Sequence, residues 1–542
     1  MSPRRRQACE PRHRRALRWC LAAAAGGAWA ASLPPLGWWP LGILGAALLA
    51  TSVRAGGVGA RAGRGLLAGL VQYGIGLAFV LAFSGLGYAV LVLAEALFPA
   101  AACALAPRRA RPVALASALT LAELARQAVP FGGLPLAGLA LGQAGGPLAP
   151  LARLGGPVAA AAGAYLAGTC LEAAAHGLLA RGRGGLRRWR VQLAGGLVGT
   201  AAVAAAAGLG AAIGAGPALG HLEVALVQGG GRRGTSALEV PAARVLGATL
   251  AETSRIERPV DLVVWPEDVV ALPGPLDASP ARELLAGVAR RTHATVLAGV
   301  TELVGRHRFT NAVVAFSPTG RLVGRVEKAH LVPFGEYVPW RSVVSKVADL
   351  AAVPRDAIAG HGTGMLATPA GRLAVLISYE AFFADRARSG VDAGGDLLVV
   401  ATNTASYRSS QVPAQELAAS RLDAVSTGRD LVQAATVGYS AIVAPDGDVR
   451  ARSALGSPAL VVGRVALRGG RTPFDRFGEL PLVLLGALGL VAGLVRSAPG
   501  LLAQGASRTS AEASASPRAV RESGTTKSTL LKSTNLPTHS SP

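Results

Sequence analysis

Between residues 17 and 214 the chain runs through one apolar stretch after another, each near the ~20 residues that a helix needs to cross a bilayer. Seven such stretches lie near 17–33, 38–53, 65–84, 86–106, 112–130, 157–179 and 191–214, and an eighth lies near 479–496. This pattern constrains the fold more than any motif does. Backbone amides surrounded by hydrocarbon must be satisfied within their own segment, so each stretch is expected to be a helix. The first stretch also reads as a signal peptide, but further spans follow at once and no clear small-residue cleavage site precedes a soluble region.

The loops between the spans suggest an orientation. Arg54, Arg61 and Arg64 follow the second span, Arg108, Arg109 and Arg111 the fourth, and Arg181, Arg183, Arg187, Arg188 and Arg190 the sixth. The loops after the first and third spans carry no Lys or Arg, and the long loop after the fifth carries only Arg153. Cytoplasmic loops are the basic ones. The basic arm at 1–16 is then inside, the membrane domain spans 17–214, a globular domain over 221–468 lies outside, and a last span at 479–496 returns the chain to the cytoplasm. Residues 498–542 are rich in Ser, Thr and Ala and read as a disordered tail.

Charge within the spans calls for partners, because a buried ionised side chain costs about 2.5–3.5 kcal/mol on insertion scales. Glu95 falls inside the fourth span. Glu123 and Arg126, near the outer end of the fifth, are spaced so that they can pair. The loop FGGLPLAGLALGQAGGPLAPLARLGGP is either re-entrant or a long outer loop.

Composition removes several classes. A mean hydropathy of +0.41 is ordinary for a membrane protein. The net charge of +23 does not indicate nucleic acid, because the arginines sit between apolar segments rather than on one folded face. All four cysteines (Cys9, Cys20, Cys103 and Cys170) lie outside 221–468, so the globular part has neither a disulfide framework nor a thiol nucleophile. No His/Cys cluster has metal-ligand spacing.

From residue 221 short β-branched runs alternate with amphipathic stretches: LEVALVQ, VDLVVWPE, ATVLAGVTEL, FTNAVVAFSPTG, RLVGRVEKAH, LAVLISYE and DLLVVATN, with helices expected at 237–255, 279–292 and 411–428. Strands alternating with helices indicate an α/β layered domain. Pro318-Thr319-Gly320 and Pro445-Asp446-Gly447 read as hairpin turns.

Three strand ends carry chemistry. Glu267 closes VVWPE and can act as a general base if burial near Trp265 raises its pKa. Lys328 precedes HLVPFGEYVP, with Glu336 inside it, and an ammonium aimed at a reacting carbonyl stabilises an oxyanion. Ser378 ends AVLIS before Tyr379 and Glu380, where a nucleophile can sit, although no G-x-S-x-G elbow surrounds it. Phe334, Tyr337 and Trp340 give the 330–340 loop apolar weight suited to covering a site or touching lipid.

WPED, EKAHLVPFGEYVP and the strand before Tyr379-Glu380, with the looser GGLPLAGLALGQ…PLARLGGP, resemble the apolipoprotein N-acyltransferase family, inner-membrane enzymes of the carbon–nitrogen hydrolase (nitrilase) superfamily. The resemblance covers roughly residues 15–495. It implies a bundle of about eight membrane helices with an extracytoplasmic nitrilase-like αββα sandwich. It also implies Glu267 as base, Lys328 as oxyanion stabiliser and Ser378 as nucleophile, with Glu336, Tyr379, Glu380 and Trp265 in support. The implied reaction moves an acyl chain from a phospholipid donor, through the enzyme, to the α-amine of a lipid-modified N-terminal cysteine of a lipoprotein. No metal or organic cofactor is implied. The family reads Cys-Tyr-Glu at the third motif where this chain has Ser378. Its S-N-D-x-W-F segment appears here as Thr402-Asn403-Thr404-Ala405-Ser406-Tyr407, and its Asn-Thr-Gly as Thr436-Val437-Gly438. An alcohol is a weaker nucleophile than a thiol, so the alternative is an impaired paralogue that binds lipid or lipoprotein as a scaffold. A soluble amidase would not need eight spans.

Overall fold

The computed structural model describes residues 12–107, 111–180, 186–231, 240–346, 350, 353–407 and 410–513. Most of the basic arm, Arg108, Arg109, Arg181, Arg183, the start of the helix expected at 237–255 and the tail from 514 onward lie outside these residues.

A helix stands at each of the eight apolar stretches: α1 (Arg12–Ser32), α2 (Pro40–Ser52), α3 (Val58–Gly76), α4 (Gly85–Leu105), α5 (Arg111–Arg126), α6 (Pro157–Leu179), α7 (Leu186–Ile213) and a final helix that begins at Leu480. Among the described residues, four segments are long and apolar enough to cross a membrane: Gly85–Leu105, Pro157–Leu179, Trp189–Ile213 and Leu480–Ser497. The others are shorter or more charged. The final helix also continues to Ala513, past the expected start of a disordered tail.

Two arginines read as loop charges belong to α3 instead. Arg64 is buried and donates to the carbonyls of Ser52 and Ala55 at 2.9 and 2.6 Å, and Arg61 donates to those of Ala104 and Ala106. Both guanidinium groups thus satisfy orphan carbonyls at the C-terminal ends of neighbouring helices, where the helix dipole also favours a cation. Glycine permits the close packing here: a Cβ at Gly65 would lie 2.4 Å from the Pro99 carbonyl oxygen of α4.

Arg126 pairs with both buried carboxylates. It donates to Glu95 Oε2 at 2.8 Å, to Glu123 Oε1 at 3.0 Å, and to the Leu134 and Leu136 carbonyls at 2.7 and 2.6 Å. The last two bonds fasten the Gly/Pro-rich loop, which folds into turns and 3₁₀ pieces that bury Leu136, Ala137, Leu139, Ala140 and Leu141.

The remainder is a two-sheet sandwich. The strands are β1 (Ala218–Gln228), β2 (Leu262–Val264), β3 (Val270–Leu272), β4 (Thr295–Val304), β5 (Arg308–Phe316), β6 (Leu322–Glu327), β7 (Asp356–Ala357), β8 (Met365–Thr368), β9 (Gly371–Ile377), β10 (Leu397–Thr402), β11 (Leu431–Ala435), β12 (Ala441–Val443), β13 (Val449–Arg452) and β14 (Ala459–Arg468). One sheet has the order β14-β1-β2-β4-β5-β6 with β3 and β7 attached, and the other β13-β12-β11-β10-β9-β8. Both expected hairpin turns join antiparallel neighbours, β5 to β6 and β12 to β13.

Strand alternation divides the core into layers. Val224, Leu226, Val264, Leu297 and Val313 of the first sheet meet Leu373, Val375, Ile377, Val399 and Val432 of the second. On the outer face of the first sheet, Val263, Trp265, Val296 and Phe316 pack with α9 (Pro280–Thr292), and α8 (Ala242–Thr253) lies over the same face. The second sheet's outer face packs with α10 (Ala384–Asp392) and α11 (Val412–Thr427). The result is the expected αββα layering. The other side of α11, with Val412, Ala418, Leu422 and Val425, joins the core of the helical bundle together with Tyr379, Phe382 and Phe383.

Candidate active site

Glu267 lies in the turn after β2, and Gly299 of β4 allows that turn to pack closely. The Gly299 amide donates to the Pro266 carbonyl at 3.1 Å, and a Cβ there would lie 2.6 Å from the Glu267 Cα. Glu267 Oε1 accepts from Lys328 Nζ at 2.9 Å and from Asn311 Nδ2 at 2.8 Å. Lys328 Nζ also donates to Glu336 Oε1 at 2.9 Å, whose second oxygen accepts the Val332 amide at 2.8 Å. Glu336 thereby closes its own loop around the lysine. Lys328 is only 2% exposed.

Burial raises the Glu267 pKa, the nearby lysine opposes that, and the negative charge of Glu336 adds to it. For Lys328, burial alone would lower the pKa, but the two carboxylates outweigh it and hold the ammonium protonated. One cation between two carboxylates leaves a net charge of −1, and Lys328 retains one N–H with no acceptor among the described residues.

Ser378 follows β9 as the first residue of a 3₁₀ turn, Ser378–Phe382. Its φ of +52° lies in the left-handed region. A non-glycine residue pays roughly 1–3 kcal/mol for such a conformation, which persists where the surroundings enforce it. The enforcing group is Glu380, which is fully buried. Its Oε2 accepts the Ile377 amide at 2.8 Å, and its Oε1 accepts the amides of Ala329 and His330 at 2.7 and 3.2 Å. The Arg386 guanidinium pairs with it at 3.2 Å. One carboxylate therefore joins the residue before Ser378 to the residue after Lys328.

Tyr379 anchors the same turn to the helical bundle, its hydroxyl donating to the Gly133 carbonyl at 2.9 Å. Its ring stacks edge-on with Phe383 at 5.0 Å. Phe334 and Trp340, 52% and 72% exposed, both have positive φ and meet Phe131 of the helical region at 6.0 and 5.0 Å between ring centres. The diverged segment also reaches the bundle, where Tyr407 contacts Phe79 and Phe83 at 5.4 Å each.

The structure thus brings Glu267, Lys328 and Glu336 into direct contact, with Ser378 tied to them through Glu380. Trp265 is the exception. Strand alternation turns it to the helix-covered face, where its indole donates to Thr253 Oγ1 at 3.0 Å. Its side chain packs in the outer layer. Asn311, Gly299 and Arg386 were not singled out from the sequence. Asn311 had a visible signal, an amide inside the apolar run FTNAVVAF.

Comparisons with known proteins cover both the helical region and the sandwich. The carbon-nitrogen hydrolase family model matches residues 223–471, and that of the apolipoprotein N-acyltransferase N-terminal domain matches residues 25–170. An apolipoprotein N-acyltransferase from Azotobacter vinelandii is 32% identical over 515 residues, covering 89% of this chain and 96% of that protein. One from Geobacter metallireducens is 35% identical over 226 residues, covering 41% of this chain and 43% of that protein. Among solved structures, Saccharomyces cerevisiae Nit3, a member of the nitrilase superfamily, is 19% identical and covers 46% of this chain and 91% of its own, at a TM-score of 0.35. With both family models matched in order and a full-length relative at this identity, the chain belongs to the apolipoprotein N-acyltransferase family, within the carbon–nitrogen hydrolase superfamily.

Proposed function

We propose that this chain transfers an acyl chain from a membrane phospholipid to the N-terminal cysteine amine of a diacylglyceryl-modified lipoprotein, with Ser378 carrying the acyl group as an ester. The observation that carries the reading is the buried Glu267–Lys328–Glu336 cluster, joined through Glu380 to a serine on a strained strand-end turn.

In the first half-reaction Ser378 Oγ attacks the phospholipid ester carbonyl and its proton passes to Glu267. A raised pKa makes that carboxylate a better base for an alcohol than an ordinary glutamate. The carbonyl oxygen becomes anionic and is met by the spare N–H of Lys328. The tetrahedral adduct collapses, and the departing lysophospholipid oxygen takes the proton from Glu267. In the second half-reaction the lipoprotein amine attacks the seryl ester and gives a proton to Glu267. The amide forms, and Ser378 leaves with that proton. Glu336 orients the lysine throughout, while Glu380 and Tyr379 hold the nucleophile turn.

The eight helices are read as eight spans, with the N-terminus cytoplasmic and the sandwich facing the outer side of the plasma (inner) membrane. In support, the nucleophile turn shares a hydrophobic core with the bundle, and Phe334, Trp340 and Val343 present apolar surface beside it. A non-catalytic scaffold is not favoured, because the relative matched over nearly its whole length is an apolipoprotein N-acyltransferase. The deciding experiment incubates the full chain with labelled phospholipid and locates the adduct by mass spectrometry. An ester on Ser378 is expected, and Ser378→Cys should acylate at least about tenfold faster, since a thiol ionises more readily. Absence of an adduct from both proteins would defeat the proposal.

A further inference from the structure

A second carboxylate sits behind the nucleophile turn with no role in the steps above. Glu416 lies in the first turns of α11, which packs against Ser378–Phe382. It is 1% exposed. Its Oε1 accepts from Thr402 Oγ1 at 2.6 Å, and its Oε2 has no hydrogen-bond partner among the described residues. Thr402 is the last residue of β10, which runs parallel to β9 with Ala401 opposite Ile377. The ladder ends at that pair, and the next residue on each side is Thr402 on β10 and Ser378 at the start of the nucleophile turn. A buried carboxylate with an unsatisfied oxygen is costly unless it serves a purpose or stays neutral.

We propose, building on the acyl-transfer reading, that Glu416 is a positioning residue for the nucleophile: through Thr402 and its own charge it sets how readily the group at position 378 becomes anionic. Burial pushes the Glu416 pKa up to about 8; the Thr402 hydrogen bond lowers it, Glu267 raises it and Lys328 lowers it. Among the described residues, Glu267 and Lys328 are the charged groups that act on it. Burial pushes the Tyr407 phenol up to about 12, with Glu336 and Glu267 raising it and Lys328 lowering it. Near neutrality Glu416 is a neutral acid and the pocket keeps its charge of −1. Above about pH 8 it ionises, and a further negative charge opposes any anion formed at position 378, whether alkoxide or thiolate. The effect has a definite sign: Glu416 restrains nucleophile reactivity on the alkaline side and loses that influence as pH falls.

The test uses the full chain and needs neither lipid nor turnover. Iodoacetamide alkylation of the thiol introduced by Ser378→Cys is followed by mass spectrometry across pH, with and without Glu416→Gln. The rate ratio, Gln variant over Glu parent, is expected to rise about threefold between about pH 6.5 and about pH 9. Thr402→Val removes the hydrogen bond that favours the anion, so the rise should move to higher pH. Superimposable profiles, or a ratio that is constant with pH, would overturn the proposal, the second outcome marking a merely structural role. Trapping the phospholipid-derived ester on unsubstituted Ser378 is scored separately. If no ester forms while the alkylation profiles diverge, the acyltransferase reading fails and the influence of Glu416 on position 378 stands.

Discussion

The chain builds the same charge motif twice, a buried cation between two carboxylates, and the two copies differ in what surrounds the cation. In the helical bundle Arg126 lies between Glu95 and Glu123, and two loop carbonyls take further N–H groups while the face of Tyr73 lies 5.0 Å away. In the sandwich Lys328 lies between Glu267 and Glu336 with one N–H to spare, beside a serine in a strained turn. A planar guanidinium with five donors suits a site that must be filled, and a compact ammonium suits one that must accept a transient oxyanion. The first cluster fastens a loop, and the second is tied through Glu380 to the Ser378 turn. Net charge alone does not separate the two clusters; what each is tied to does.

Exchanging the cations tests this most severely. Lys328→Met should lower acyl-enzyme formation by about 10²–10³-fold while the detergent-solubilised protein remains folded. Arg126→Met should instead destabilise by about 3–5 kcal/mol, because two buried carboxylates lose their partner. Thermal unfolding paired with turnover per folded molecule distinguishes them. If Arg126→Met keeps its stability but loses turnover, the contrast between the clusters is wrong.

Glu380→Gln is expected to follow, with a loss of about 10–100-fold in acylation, because a neutral amide weakens three backbone bonds and leaves Arg386 without its anion. Unchanged acylation would show that the carboxylate linking the two halves of the site is dispensable.

The pH profile sharpens the comparison further. Glu267 must be ionised to accept a proton, and its pKa is raised. As pH falls, kcat/KM should therefore decline at a pH above the ordinary glutamate value of about 4.3. An acid limb at the ordinary value would mean that Glu267 is not the base. The smallest effect belongs to Tyr379→Phe. Losing the bond to the Gly133 carbonyl should cost about 1 kcal/mol, read as a modest drop in thermal stability and a few-fold change in turnover.

Much of this was legible in the sequence because it is periodic or local. The eight apolar stretches, the hairpin turns at Gly320 and Gly447, and the Glu123–Arg126 spacing each express a repeat or a short-range rule. Helix ends were less legible. Arg61 and Arg64 read as loop charges, yet they belong to α3 because carbonyls from other helices reward their burial. Trp265 was misplaced because proximity to Glu267 in sequence says nothing about which face of a strand a side chain occupies. Asn311 was overlooked because its partner is 44 residues away.

The sequence by itself determined the positions of the apolar helices, the layered α/β domain and the residue types at the three strand ends, since hydrophobic period and strand punctuation are written along the chain. Only the tertiary structure decided that Glu267, Lys328 and Glu336 share one hydrogen-bonded cluster, that Glu380 binds it to the Ser378 turn, and that Glu416 waits behind. Those contacts join residues far apart in sequence, and their energies depend on desolvation, which exists only once the two sheets and the bundle have closed around them.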